Sequence, residues 1–193
     1  QQKFGGISNY FYNLGNELLK EDQNILFSCG LNINEYIKKI NSFNKKSFYL
    51  SKFPSRLNFI LKNINQYLTN ENIKKFNPDV VHETYYSKEA YNKKKTICTV
   101  YDMINEKFSK FFPNSDEITR LKKLTVLRAD HIICISEQTK EDLINFFKIN
   151  ENKITVTLLA STLQNVEQKT DIKKFDDCLL FVGSRHGYKN FNN

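Results

Sequence analysis

Short, near-continuously apolar runs alternating with longer amphipathic stretches constrain this chain more than any other feature. Val80-Val81, Thr96-Ile97-Cys98-Thr99-Val100, His131-Ile132-Ile133-Cys134-Ile135 and Ile154-Thr155-Val156 have no polar face to offer water. Strands of that kind, separated by helices, require a parallel sheet covered on both faces. The pattern predicts strands over residues 24–28, 46–50, 79–83, 95–101, 131–135 and 153–159. Helices are predicted over 8–20, 34–40, 56–68 with an extension to Phe76, 115–128, and 136–147, with Ser115 and Ser136 as N-caps. Leu57, Ile60, Leu61, Ile64 and Leu68 are expected to form one buried helix face, and Ile118, Leu121, Leu124 and Leu127 another.

Ahead of the first helix stands Gly5-Gly6-Ile7-Ser8. Two glycines permit a tight turn and let a ligand approach the backbone. A helix opening just behind them offers unpaired N–H groups and a positive dipole end, which suits phosphate. A plain tight turn is the competing reading. In doubly wound folds such a turn follows a strand. Gln1-Gln2-Lys3-Phe4 is too short and polar to be one, so a preceding strand is expected upstream. At the other end, the polar run 161–176 is expected to be a linker, and 177–193 to be the first strand and turn of a second domain. The expected organisation is thus a domain over 1–160, then linker, then the start of another domain, with the chain truncated at both ends.

Ligands of open parallel sheets sit beyond the C-terminal ends of the strands. The residues at those ends are His82, Glu83, Tyr101, Asp102 and Ser136, expected to face the Gly5-Gly6 turn. A formal charge of +8 (29 basic against 21 acidic residues) favours anionic partners, with a solvated lysine-rich surface as the bland alternative. Cys29, Cys98, Cys134 and Cys178 form no CxxC pair, and no histidine stands at zinc-ligand spacing from them. Cysteines used as small hydrophobes fit a reducing cytoplasm. No apolar run approaches the ~18 residues of a membrane span.

Taken in order, several pieces resemble a retaining GT-B glycosyltransferase of the group-1, family-4 class. They are Lys3-Phe4-Gly5-Gly6-Ile7-Ser8, then Pro78-Asp79-Val80-Val81-His82-Glu83-Thr84, then Thr99-Val100-Tyr101-Asp102 followed by Phe111-Phe112-Pro113. The last in the first domain is Ala129-Asp130-His131-Ile132-Ile133-Cys134-Ile135-Ser136-Glu137, and Leu180-Phe181-Val182-Gly183-Ser184-Arg185 with Lys189 resembles the opening of the donor domain.

The resemblance implies a Rossmann-like, acceptor-side GT-B domain. It also implies transfer of a hexose, mannose or a relative, from a nucleotide diphosphate sugar to a glycan or lipid-linked glycan, with retention. Gly5, Gly6, Arg185 and Lys189 would contact the donor diphosphate, although Arg185 stands one residue closer to Lys189 than in the commoner pattern. His82, Glu83 and Ser136 would meet the acceptor, and Tyr101 and Asp102 would lie at the reacting sugar. The nucleotide sugar is a co-substrate; no cofactor and no metal are implied. A bacterial, cytoplasmic protein of surface-polysaccharide synthesis is the implied setting, peripheral contact with the anionic inner membrane face included. This stretch taken alone is expected to be inactive.

Where the family commonly carries histidine, Tyr101 stands before Asp102. A phenol donates a hydrogen bond but is a poor base near neutral pH. That substitution supports a second reading, a non-catalytic glycan- or partner-binding module. Nucleic-acid binding, a third reading suggested by the charge, has no base-reading motif behind it.

Overall fold

The computed structural model describes residues 3–52, 57–91, 94–112, 114–161 and 179. Arg185 and Lys189, and nearly all of the expected linker and second-domain strand, lie outside the described residues. The architecture is α/β, with parallel strand pairs and intervening helices. The described residues group into two compact units. The first holds those up to Tyr85 together with 89–98, and the second holds Tyr86–Lys88 and those from Thr99 onward.

In the first unit the elements are α1 (Gly6–Lys20), β1 (Phe27–Asn32), α2 (Glu35–Lys39), β2 (Lys45–Tyr49), α3 (Asn58–Phe76), β3 (Val80–Glu83) and the opening of β4 (Lys95–Val100). β1 and β2 form a two-stranded parallel sheet of their own. β3 pairs in parallel with β4, Val80 opposite Lys95 and Glu83 opposite Cys98.

β1 lies three residues later than the expected 24–28, because its pairing is set by a bulge between Ser28 and Gly30. Gly30 sits there at φ 51°, the left-handed region, and a Cβ on it would lie 2.5 Å from Asn65 Oδ1. Asn65, on α3, accepts from Leu31 N at 2.7 Å and donates to Leu31 O at 2.9 Å. Backbone groups freed by a bulge need such partners. Asn72, two turns further, donates to Ser28 Oγ at 2.9 Å. α3 therefore meets β1 through Asn65 and Asn72, and most of the expected apolar face is turned away from the core. Of that face only Leu61 is buried; Leu57, Ile60 and Ile64 are exposed.

The second unit contains the end of β4, α4 (Ile104–Lys107), α5 (Ser115–Arg128), β5 (His131–Cys134), α6 (Glu137–Phe147) and β6 (Ile154–Val156). β5 and β6 pair in parallel from Ile132 opposite Ile154 to Cys134 opposite Val156. Val100, Met103, Val126, Ala129, Ile132, Cys134 and Leu143 form its core, all almost fully buried. The expected α5 face is again displaced: Leu124 and Leu127 are exposed, while Ser115, Lys122, Thr125 and Val126 are buried. Positions three apart slip about 60° per step on a 3.6-residue helix, so a run of them cannot stay on one buried stripe. Ser115 is also the first residue of α5, and Asn114 takes the cap position.

Short ties hold Tyr86–Lys88 in this unit. Thr125 Oγ1 accepts from Ser87 N and donates to Ser87 O, both at 3.0 Å, and Arg128 Nη1 donates to the same carbonyl at 2.8 Å.

Candidate functional site

The helix behind the glycines begins earlier than Ser8. Gly5 is the N-cap and Gly6 the first helical residue of α1. The expected tight turn is absent, since Gly5 is extended at φ −178°, and Gly30 is the only described glycine with positive φ. A Cβ on Gly6 would meet nothing within 4 Å, so neither strain nor packing explains the glycine. What Gly6 does leave is open space over the first turn. That turn carries no acidic residue and no side-chain cap, so its N–H dipoles and positive end remain available to an anion.

α2 buttresses this end of α1. Asn34, the N-cap of α2, accepts from Tyr36 N at 3.0 Å and donates through Nδ2 to Ser8 Oγ at 2.7 Å. Glu35 N donates to Lys3 O at 3.0 Å. The Glu35 carboxylate is held below its usual range, first by the Tyr49 hydroxyl at 2.6 Å and then by Lys38. Asn34, expected within the helix over 34–40, is its N-cap instead, and its grip on Ser8 spans a loop that no local pattern encodes.

His82 and Glu83 end β3 in the same unit. The His82 ring stands edge-on to Phe11 of α1, with centroids 4.9 Å apart. Burial pushes its pKa down from 6.5 to about 4, so it is a neutral imidazole near pH 7. A neutral imidazole has both a donor and an acceptor for a hydroxyl-bearing ligand. Glu83 is buried, 7% exposed.

In the second unit, Asp102 follows β4 and shapes the chain locally. Its Oδ1 accepts from Ile104 N at 3.2 Å. Its carbonyl accepts from Lys122 Nζ at 2.9 Å. Lys122 is buried and also reaches Glu106 Oε2 at 2.7 Å, beneath the Tyr86 ring at 5.4 Å. This lysine clamps the Tyr101-Asp102 segment, a role hidden in the sequence because Lys122 sits among ordinary helical polar residues. Tyr101 is half-buried, its hydroxyl oxygen sequestered from solvent. Ser136 behaves as expected of an N-cap, Oγ accepting from Thr139 N at 3.1 Å. His131 is a structural link from β5 to β6, 2.8 Å from Thr155 Oγ1.

Gly5, Gly6, His82 and Glu83 thus belong to the first unit, and Tyr101, Asp102 and Ser136 to the second. Burial pushes the thiols of Cys29 and Cys134 up to about 12, which keeps them protonated and unreactive. Among the described residues no group of three or more His, Cys, Asp or Glu side chains gathers to hold a metal ion.

The family model for Glycosyltransferase Family 4 matches residues 4–157, from just before Gly5 to just past β6. No curated protein and no solved structure matches the chain.

Proposed function

From the premise that this chain belongs to Glycosyltransferase Family 4, we propose that it serves the transfer of a hexose, mannose or a relative, from a nucleotide diphosphate sugar to a glycan or lipid-linked glycan, with retention. The observation that carries the reading is the uncapped N-terminus of α1 with free space above Gly6. Breaking the bond from the anomeric carbon to phosphate leaves growing negative charge on the departing diphosphate. Preset N–H dipoles stabilise that charge more in the transition state than in the ground state. In retaining transfer on one face, the acceptor oxygen bonds to the anomeric carbon as the phosphate leaves, and the leaving phosphate takes the acceptor proton. Neutral His82 suits contact with a sugar hydroxyl. Lys122 sets the backbone at Asp102. Arg185 and Lys189 are assigned to the diphosphate by resemblance alone. Peripheral contact with an anionic membrane belongs to the same reading, since a lipid-linked acceptor lies there.

A non-catalytic glycan-binding module is the second reading, favoured by Tyr101 with its sequestered hydroxyl. The test uses the protein and its Gly6→Ala variant. Calorimetric titration with uridine and guanosine diphosphates is paired with an assay of nucleoside diphosphate release from a panel of nucleotide sugars. Binding that drops at least tenfold in Gly6→Ala supports a diphosphate seat at α1, and release of nucleoside diphosphate excludes the module. Equal affinity of both proteins removes α1 from the donor site. The absence of both diphosphate binding and nucleoside diphosphate release sinks the transferase reading.

A further inference from the structure

α3 packs on β1 and leaves part of β2 open. Its amides meet β1 at Leu31 through Asn65 and at Ser28 through Asn72, so the helix runs back along β1, antiparallel to it. Ser28 stands opposite Lys46 of β2, which puts Lys46 and, two residues on, Phe48 on the side that faces α3. On the helix, Tyr67, Glu71 and Lys75 follow at four-residue steps and form the flank beside β2. Between flank and strand lies an open groove of about 410 Å³, within the size range of small-ligand sites.

The groove is aromatic and cationic. Phe48 and Tyr67 are 61 and 67% exposed. Lys45, which also lines it, is committed to the carbonyls of Ile37 and Lys38 at 3.0 and 3.1 Å. The Glu71 carboxylate is compensated by Lys74 at 2.8 Å. Lys46 and Lys75 are exposed and hold no ion pair among the described residues. The groove extends toward the N-terminal ends of β1 and β2. The start of α1 lies at the other end, because Asn34 and Glu35, just past the C-terminal end of β1, hold Ser8 and Lys3.

We propose that this groove seats an acidic glycan chain, with pyranose rings against Phe48 and Tyr67 and carboxylate or phosphate groups of the chain at Lys46 and Lys75. This second seat, apart from the α1 end, deepens the proposed function by giving the acceptor glycan a negative charge, and it rests on the glycan side of that reading. A pyranose ring has an apolar face of C–H groups, whose partial positive charge meets the negative face of an aromatic ring. The two uncommitted ammonium groups supply the charge complement. Lysine is depleted from protein–protein interfaces, which argues against a protein partner. A nucleic-acid strand needs a positive track along its backbone, and here Glu71 interrupts the flank between Tyr67 and Lys75.

The test is calorimetric titration of the full chain with tetragalacturonate, with phosphorylated mannopentaose and with neutral galactotetraose. The parent is compared with Phe48→Ala/Tyr67→Ala, Lys46→Gln/Lys75→Gln and Gly6→Ala, and circular dichroism checks that each is folded. The parent is expected to bind an acidic oligosaccharide roughly tenfold or more tightly than the neutral one, with affinity that falls as salt rises. Whichever acidic probe is held identifies the charged group. Each double variant is expected to lose roughly tenfold, while Gly6→Ala binds as the parent does. Equal binding of acidic and neutral probes, no binding of either acid, or parent-like binding by either double variant overturns the proposal. Loss of binding in Gly6→Ala overturns it too and moves the glycan to the α1 end. Oligouridylate held more tightly than both acidic oligosaccharides, and weakened by the same variants, also overturns it and assigns the groove to RNA. Nucleoside diphosphate binding is expected to be unchanged in both double variants, so failure of the transferase reading, seen there, is distinguishable from failure of the groove.

Discussion

Lys122 and Glu106 form an ion pair of 2.7 Å with side chains only 1 and 2% exposed. The same ammonium donates to the Asp102 carbonyl, so one buried cation joins α5, α4 and the chain leaving β4. Removing the cation strands a carboxylate in the core. Lys122→Met is expected to cost about 3–5 kcal/mol in urea denaturation. Lys122→Met/Glu106→Leu should recover a large part of that loss, because no buried charge is then left alone. A double variant as unstable as the single one would show that the pair is not the source of the cost.

The bulge in β1 depends on Asn65. Asn65→Ala leaves the Leu31 N–H and carbonyl without their partner, at an expected ~1–2 kcal/mol for half-buried groups. Gly30→Ala faces both the left-handed φ and the Asn65 side chain, and should lose about as much or more. Thermal unfolding of the two variants checks both values.

Stability should depend on the protonation of His82. Its folded pKa of about 4 lies below the ordinary 6.5, so between those values the unfolded chain binds the proton and the folded one does not. This contribution therefore leaves stability intact above about pH 6.5 and erodes it as pH falls toward 4, by at most roughly 3 kcal/mol. Denaturation midpoints of the parent and His82→Gln, measured from pH 7.5 down to pH 4.5, provide the check. The variant should show the shallower decline, and parallel curves would contradict the buried neutral ring.

Ser136→Ala removes the bond to Thr139 N at the start of α6, with an expected loss of about 1 kcal/mol by denaturant titration. Gly6→Ala should do the opposite. Gly6 is helical and its Cβ direction is open, so alanine is expected to gain up to ~1 kcal/mol. A stabilised Gly6→Ala variant with weakened diphosphate binding would separate the ligand role of the glycine from any structural one.

The capping residues illustrate what is readable locally. Ser136 and Asn34 each bond to N–H groups within three residues of themselves, so the signal and the structure share one short segment. α3 shows the contrary case. Its leucines and isoleucines announce a helix, but two asparagines choose which side meets β1: Asn65 satisfies the backbone of Leu31 beside the bulge, 34 residues away, and Asn72 holds the Ser28 hydroxyl, 44 residues away. The α5 face differs from expectation because its three-residue leucine spacing winds around the helix, and Lys122 takes a buried position.

The sequence by itself determined the α/β class, the order of strands and helices, the parallel pairing and the Ser136 cap, because periodicity and capping are properties of neighbouring residues. It also placed the family motifs in order. Tertiary structure alone decided the helix faces that are buried, the register of β1 on β2, the neutral state of His82 and the burial of Lys122. Each of these is a choice among partners distant in the chain, and burial, dielectric and hydrogen-bond satisfaction are set only once those partners have met.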